Sequence, residues 1–530
     1  MSAGEATLPA SQAWQQPLIN PWIIAITVTL ATFMEVLDTS IANVALPHIA
    51  GGLGASTDES TWVLTSYLVS NAIILPLSGW ISSIVGRKRF YMFCVFLFTA
   101  SSFMCGLAPN LSALIICRIL QGMGGGGLQP SEQAILADTF SPAKRGMAFA
   151  IYGMAVVVAP AIGPTLGGWI TDNYSWRWIF YINVPVGLLS LLLTSRLITD
   201  PPYLKRKKLS ETPIDYMGLG LLAVGLGALQ IVLDKGERDD WFDSHFILAL
   251  TVICVIALVS VVIWEWNNDH PIIELKLFRD RSFAVGCFML FMLGIILYGT
   301  TVLLPLFMQT VLGYSAQTSG LALMPGGFVI MLCMPVVGFL LGKVGARWLL
   351  VFGFVTTGLA LLHMTNFDLG IDFRTVAMAR VYQGVGLAFL FIPINTAAYA
   401  FLPREKNNAA SGLLNLSRNI GGSVGISYVT TMLDRRQQFH QSRMVAHITA
   451  SSGQLQGMLH GAAQALMARG ASASVAAQQA YGLVNSLMQR QALVLSYIDN
   501  FWVLGVTALV LTPLAFLPKK APAGRETPVH

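Results

Sequence analysis

Long apolar runs separated by short polar stretches recur along the whole chain, at approximately 22–46, 61–84, 90–107, 112–137, 146–170, 179–197, 217–233, 246–265, 284–310, 318–341, 348–365, 375–400, 408–432 and 500–517. Each has roughly 18 to 25 residues, enough for a helix to cross about 30 Å of hydrocarbon while satisfying its own backbone. The pattern predicts about fourteen membrane helices.

Composition agrees. Of 530 residues, 55% are hydrophobic and only 11% charged, with mean hydropathy +0.64, whereas soluble proteins carry about a quarter charged residues. That excludes a soluble globular enzyme, and the expected fold is an all-α polytopic membrane protein in a lipid bilayer. The net charge of +6 comes from short basic clusters between apolar runs, which is topological patterning, so no nucleic-acid partner is expected. The six cysteines fall in or beside apolar runs with no CxxC or Cys/His spacing, which predicts packing residues and no metal site. The first twenty residues carry no Lys or Arg, and the first run is too long and lacks the cleavage site of a signal peptide, so it reads as a retained span.

Placing both termini in the cytoplasm puts GRKR, SPAKR, LKRKK, LKLFRDR, GKVGAR, PREK and the PKK tail inside. These hold roughly 20 of the 32 Lys and Arg, against about four in the short outside loops. A long outside loop, 434–498, counts little in this rule.

The chain repeats itself. PLSGWISSIVGRKRF at 76 matches PVVGFLLGKVGARWL at 335, RILQGMG at 118 matches RVYQGVG at 380, and IGPTLG at 162 matches IGGSVG at 420. The FM...LP frame of 33–47 matches 291–305, and all offsets lie between 258 and 262. The expected organisation is a short N-terminal segment (1–21), a six-helix half (22–197), an inserted helix pair (217–265), a second six-helix half (284–517) containing the 434–498 loop, and a tail (518–530). Parallel halves of this kind place a substrate cavity at their interface near the bilayer midplane.

Charges inside the spans are the candidate chemistry. Glu35 and Asp38 are i, i+3 neighbours near the middle of the first run. Burial favours the neutral form of a carboxyl, and a neighbouring carboxylate favours it further for one of a pair, so the two can load and release a proton. At the 258 offset their counterparts are Leu293 and Ile296, which assigns proton handling to the first half. Glu132 lies fourteen residues after Arg118, about 21 Å along a helix, with Pro130 between them to bend it. Arg118, Arg380 and Arg418 each cost about 2.5 to 3.5 kcal/mol in a span and therefore face a cavity or a partner.

LDTSIANVALP (37–47), the loop from Gly79 to Lys88, RILQGMGGGG (118–127), APAIGPTLGG (159–168) and WRWIFYINVPVG (176–187) together resemble the major facilitator superfamily. Within it they are similar to the fourteen-span drug:proton antiporters, most closely the EmrB-type exporters, and the likeness runs over nearly the whole chain. The resemblance implies alternating-access export of amphipathic or cationic drugs across a bacterial inner membrane, driven by the proton gradient without a cofactor. It implies that Asp38 and Arg118 act in proton coupling, with Glu35 and Glu132 as additions of this chain. It also implies that the 434–498 loop docks a periplasmic membrane-fusion adaptor and, through it, an outer-membrane channel; a lid folded on the transporter is the other reading. Export of one metabolite, siderophore or fatty acid is the alternative function.

Gly79 and Gly86 permit close helix approach beside Arg87 and Lys88, which face an anionic leaflet. Ser83 stands where the family has a latching Asp. Gly163, Pro164, Gly167 and Gly168 make the fifth helix flexible and closely packed, a hinge in the resembled exporters. The candidate substrate cavity takes Met34, Asn43, Gln121, Phe307, Arg380, Gln383, Phe391, Asn395 and Asn415. No metal-ligand spacing or nucleophile elbow suggests an enzyme, and a receptor or scaffold has no need of buried acids.

Overall fold

The computed structural model describes residues 20–141, 144–200, 215–268, 271–447 and 453–519. The expected 1–21 segment lies almost wholly outside them, as do the LKRKK cluster and the tail beyond Lys519. No strand occurs among the described residues.

The helices that match the expected spans are α1 (Pro21–Leu53), α2 (Trp62–Val85), α3 (Arg87–Leu107), α4 (Leu111–Thr139), α5 (Arg145–Asn173), α6 (Asn183–Leu197), α7 (Tyr216–Lys235), α8 (His245–Asn267), α9 (Arg281–Thr310), α10 (Ala316–Val344), α11 (Ala346–Met364), α12 (Phe373–Tyr399), α13 (Asn407–His447) and α14 (Ala473–Val510). Their starts are chemically marked. Asn20, Asn110, Asp215, Asp280, Ser315 and Asp372 each accept a backbone N–H of the first turn, satisfying one of the donors a helix N-terminus leaves free.

Twelve helices among the described residues are long and apolar enough to cross a membrane, thirteen when α5, bent by 43° after Pro160, is taken as one span. The remaining expected span, 408–432, forms the first part of α13. It is more polar than the rest because it carries Ser411, Asn415 and Arg418 into the contact between the halves, where all three are buried. By contrast α8 exposes Ile253, Val255, Ile256, Val259, Val262 and Ile263, an apolar face suited to lipid. The protein is membrane-embedded.

Two helix pairs pack especially closely between the halves. Along α5 and α10, a Cβ at Gly338 would lie 3.0 Å from the Met147 Cα, and one at Gly320 would lie 2.8 Å from Thr165 Oγ1. On the other side, a Cβ at Gly79 of α2 would lie 2.8 Å from the Ala409 Cα of α13, and one at Gly412 would lie 2.8 Å from the Leu75 carbonyl oxygen. At Gly79 and Gly412 the atoms met are backbone, so an added methyl would force the two helices to shift. Helix α7 stands beside the second seam, where Ser423 of α13 donates to Gln230 at 3.0 Å and Lys235 donates to Thr61 at 2.6 Å.

The 434–498 segment is largely helical. Helix α13 runs on to His447, a separate helix spans Gly453–Ala468, and α14 begins at Ala473, well before the expected span start at 500. Asp499 clasps the two long helices, taking Arg436 Nε at 2.5 Å and lying 2.7 Å from His440 Nε2.

Candidate functional site

Helix α1 carries two carboxylates into two different networks. Asp38 receives Arg118 at 2.6 Å on one oxygen, and Gln121 at 3.0 Å and Asn183 at 2.7 Å on the other. Arg118 is fixed further by Nε to the Val63 carbonyl at 3.0 Å and by Gln121 Oε1 at 2.7 Å. Its guanidinium lies 4.4 Å from the centre of the Tyr67 ring. Asp38, Arg118 and Gln121 are buried; both oxygens of Asp38 and the Nε and Nη1 of Arg118 are bonded, while Arg118 Nη2 has no hydrogen-bond partner among the described residues.

Glu35, one turn earlier, shares no hydrogen bond with Asp38. It accepts Gln129 at 2.6 Å, Tyr67 at 3.2 Å and Asn71 at 3.3 Å. Gln129 turns its other end to the second half, where its oxygen accepts from Arg418. Arg418 also donates to Tyr152 Oη at 3.0 Å, and that hydroxyl stands 3.1 Å from Gln129 Oε1 and 3.0 Å from Asn415 Oδ1. Asn415 and Tyr399 both donate to Gln133 Oε1, at 3.0 and 3.2 Å. Helices α1, α2, α4 and α5 of one half are thereby bonded to α12 and α13 of the other.

Glu132 is buried with Thr29 donating at 2.5 Å, while its second oxygen meets no hydrogen-bond partner among the described residues. Thr29 precedes Glu35 by six residues, about 9 Å along α1, so Asp38, Glu35 and Glu132 descend the α1–α4 seam as separate steps.

On the face that carries the basic loops, Arg87 pairs with Asp138 of α4, and Asn407 of α13 donates to the same carboxylate at 2.8 Å. Asn408 donates to Ser82 at 2.9 Å. A salt bridge therefore forms here although Ser83 replaces the loop acid; Ser83 itself donates to the Trp80 carbonyl, at 2.7 Å. Lys88 bonds inward, to the Ser195 carbonyl and through its N–H to Asp200, both at 2.7 Å. Gly86, at φ 96°, makes the turn between α2 and α3.

Gly163 and Gly167 bring α5 against Ser40 and Ile41 of α1, whereas a side chain at Gly168 would meet nothing within 4 Å. Gly168 thus has no part in the close packing expected of it. Pro164 packs toward Gly320 of α10.

The second half repeats the Asp38 site without its charge. Arg380 donates to Gln383 Oε1 at 2.6 Å and to Thr300 Oγ1 at 3.2 Å, and Gln383 donates to Thr300 at 2.9 Å. The offset of 262 that relates Arg118 to Arg380 and Gln121 to Gln383 relates Asp38 to Thr300. The counterpart of Asp38 is therefore Thr300, one turn beyond Ile296. Arg380 lines a small cavity between the halves, about 10 Å³, with Val157, Pro160, Leu297, Tyr298, Thr301 and Leu323, room for about one water.

Other expected cavity residues are placed differently. Phe307 packs inside the second half, 5.6 Å from the Phe367 ring and 5.2 Å from that of Tyr497, and Met34 is buried in the core; both fill interior volume instead of lining the cavity. Phe391 reaches the interface, 5.7 Å from the Tyr152 ring. Asn395 is buried with its oxygen unbonded among the described residues, and its amide goes to the Phe391 carbonyl at 2.8 Å. Asn43 is exposed. Sequence reasoning passed over Gln129, Gln133, Tyr152, Asn71, Asn183 and Asp138. The available signal was an amide or phenol inside an apolar run.

The family model described as Major Facilitator Superfamily matches residues 28–426. The chain is 37% identical over 508 residues to "Multidrug export protein EmrB" of Escherichia coli K12, covering 95% of this chain and 97% of the relative. It is 40% identical over 427 residues to the protein of that name in Haemophilus influenzae, covering 80% and 83%. It is 39% identical over 499 residues to "Fatty acid resistance protein FarB" of Neisseria gonorrhoeae, covering 94% and 96%. In fold it is similar to the proton:xylose symporter XylE, with TM-score 0.60 at 15% identity over 94% of this chain and 97% of that one.

Proposed function

The chain belongs to the major facilitator superfamily, and from that premise we propose that it is a proton-coupled antiporter. It exports amphipathic drugs or toxic compounds by alternating access across the bacterial inner membrane, both termini lying in the cytoplasm. The observation that carries this reading is the pair of separately held carboxylates on α1. Asp38 is tied by Arg118 within the first half, while Glu35 reaches the second half through Gln129 and Arg418.

Protonation from outside neutralises Asp38 and releases Arg118 from its charged partner, removing a constraint between α1 and α4. A proton on Glu35 leaves Arg418 without a nearby negative charge and weakens the contact between the halves. Glu132 offers a further step toward the cytoplasm. Because a buried charge without compensation is unfavourable, each protonation state selects a different packing of the halves, and a substrate that binds one packing is thereby exchanged for a proton.

The relatives named multidrug export proteins support drugs as substrates. A second reading, export of a fatty acid or another metabolite, is favoured by the relative named for fatty acid resistance. The helices of 434–498 serve as the docking surface for a periplasmic adaptor, placing the protein at the inner-membrane end of a tripartite pump.

The test is drug-stimulated proton release in everted vesicles with a panel of cations and organic acids. Asp38→Asn, normally expressed, is expected to abolish it; exchange that continues unchanged rejects the coupling. Deleting 440–490 is expected to end copurification with an adaptor while exchange persists.

A further inference from the structure

The two halves hold the same Arg–Gln arrangement with different third partners. In the first half Arg118 and Gln121 converge on the carboxylate of Asp38; in the second, Arg380 and Gln383 converge on the hydroxyl of Thr300. Arg380 is buried, its hydrogen bonds go to the neutral side chains of Gln383, Thr300 and Thr301, and no carboxylate pairs with it among the described residues. A guanidinium withdrawn from water normally faces an anion, and its planar fork matches a carboxylate better than any neutral acceptor does.

What faces Arg380 is the cavity between the halves, whose walls are otherwise largely apolar: Val157 and Pro160 from the first half, Leu297 and Leu323 from the second. We propose that Arg380, with Gln383, Thr300 and Thr301, docks the carboxylate of an amphipathic organic acid whose apolar part lies along those walls. The substrate's carboxylate takes the role that Asp38 plays in the first half. At about 10 Å³ the cavity admits one water, so the acid enters when the halves separate, and its charge then compensates Arg380. This rests on the export reading but is read out by binding alone.

The experiment measures binding of radiolabelled laurate, and separately of dodecylamine, to the purified full chain in detergent free of anionic lipid at neutral pH. Laurate is expected to lose more than tenfold in affinity in Arg380→Gln. It is expected to lose as much in Thr300→Asp, where an internal carboxylate occupies the guanidinium as Asp38 does. Dodecylamine binding should change less than twofold throughout. Laurate affinity that survives Thr300→Asp, or falls in step with that of dodecylamine, overturns the assignment, and because Thr300→Asp keeps the arginine paired it decides even where Arg380→Gln fails to fold. Failure of drug–proton exchange in vesicles would refute the export reading without touching this result.

Discussion

Asp38 and Thr300 occupy the same place in the two halves, each receiving the amide of a buried glutamine, from Gln121 at 3.0 Å and Gln383 at 2.9 Å. Only Asp38 brings a charge to its arginine. Removing one partner of a buried ion pair costs about 3 to 5 kcal/mol, whereas losing a neutral hydrogen bond costs about 1 kcal/mol. Asp38→Asn should therefore lower the apparent unfolding midpoint in detergent several times more than Thr300→Ala. Equal shifts would show that the Arg118 pair contributes no more than the neutral site.

Much of this was legible in the chain. A charge in an apolar run is rare enough to single out Glu35, Asp38, Arg118, Glu132, Arg380 and Arg418, and the structure places all six in buried positions. The second-half counterpart of Asp38 was misassigned for a physical reason: offsets of 258 and 262 differ by four residues, close to one helical turn, so both registers place apolar residues on the same face and motif matching does not separate Ile296 from Thr300. Gln129, Tyr152 and Gln133 went unnoticed because a lone amide or phenol in a span is ordinary; what marks them is convergence across helices distant in sequence. Asp138, just past the expected span 112–137, was passed over because nothing local connects it to Arg87, 51 residues away.

That ion pair yields the next expectation. Arg87 and Asp138 are both nearly buried, and Asn407 joins them from the second half, so the pair bears directly on closure of the basic face. Asp138→Asn or Arg87→Gln should reduce transport at least tenfold at normal expression. The exchange Arg87→Asp with Asp138→Arg should recover a substantial part, as measured by drug accumulation in cells. No recovery in the swapped variant would mean that position, and not pairing, is what matters.

Gly79 brings α2 close to α13, and the atoms a Cβ would meet there are backbone: Ala409 Cα at 2.8 Å, Ala409 N at 2.9 Å and Asn408 C at 3.2 Å. Backbone yields far less readily than a side-chain end, so Gly79→Ala should hold the two helices apart on the basic face. In a background without native cysteines, a cysteine replacing Ser411 should react faster with a water-soluble maleimide when Gly79→Ala is present. Gly168→Ala, which meets open space, should leave that rate unchanged. Equal rates in all three backgrounds would show that α2 and α13 adjust to the added methyl.

Gln129 joins Glu35 to Arg418, the one charged contact chain between α1 and the second half among the described hydrogen bonds of this network. An amide can do this because it donates with nitrogen and accepts with oxygen at the same time, so each bond orients it for the other. If the three act as a unit, their substitutions are not additive. Glu35→Gln removes the negative charge and leaves Arg418 uncompensated; Arg418→Gln removes the positive charge and leaves Glu35 held only by neutral donors. Each alone should lower the apparent unfolding midpoint, and the double variant should lower it by clearly less than the sum, because neither charge is then stranded. The same cycle with Glu35→Gln and Arg380→Gln should be additive, since Arg380 bonds to Gln383, Thr300 and Thr301 instead. Additivity in both cycles would mean that the charge on Glu35 is not felt across the interface, and with it the link between proton loading and the packing of the halves would be lost.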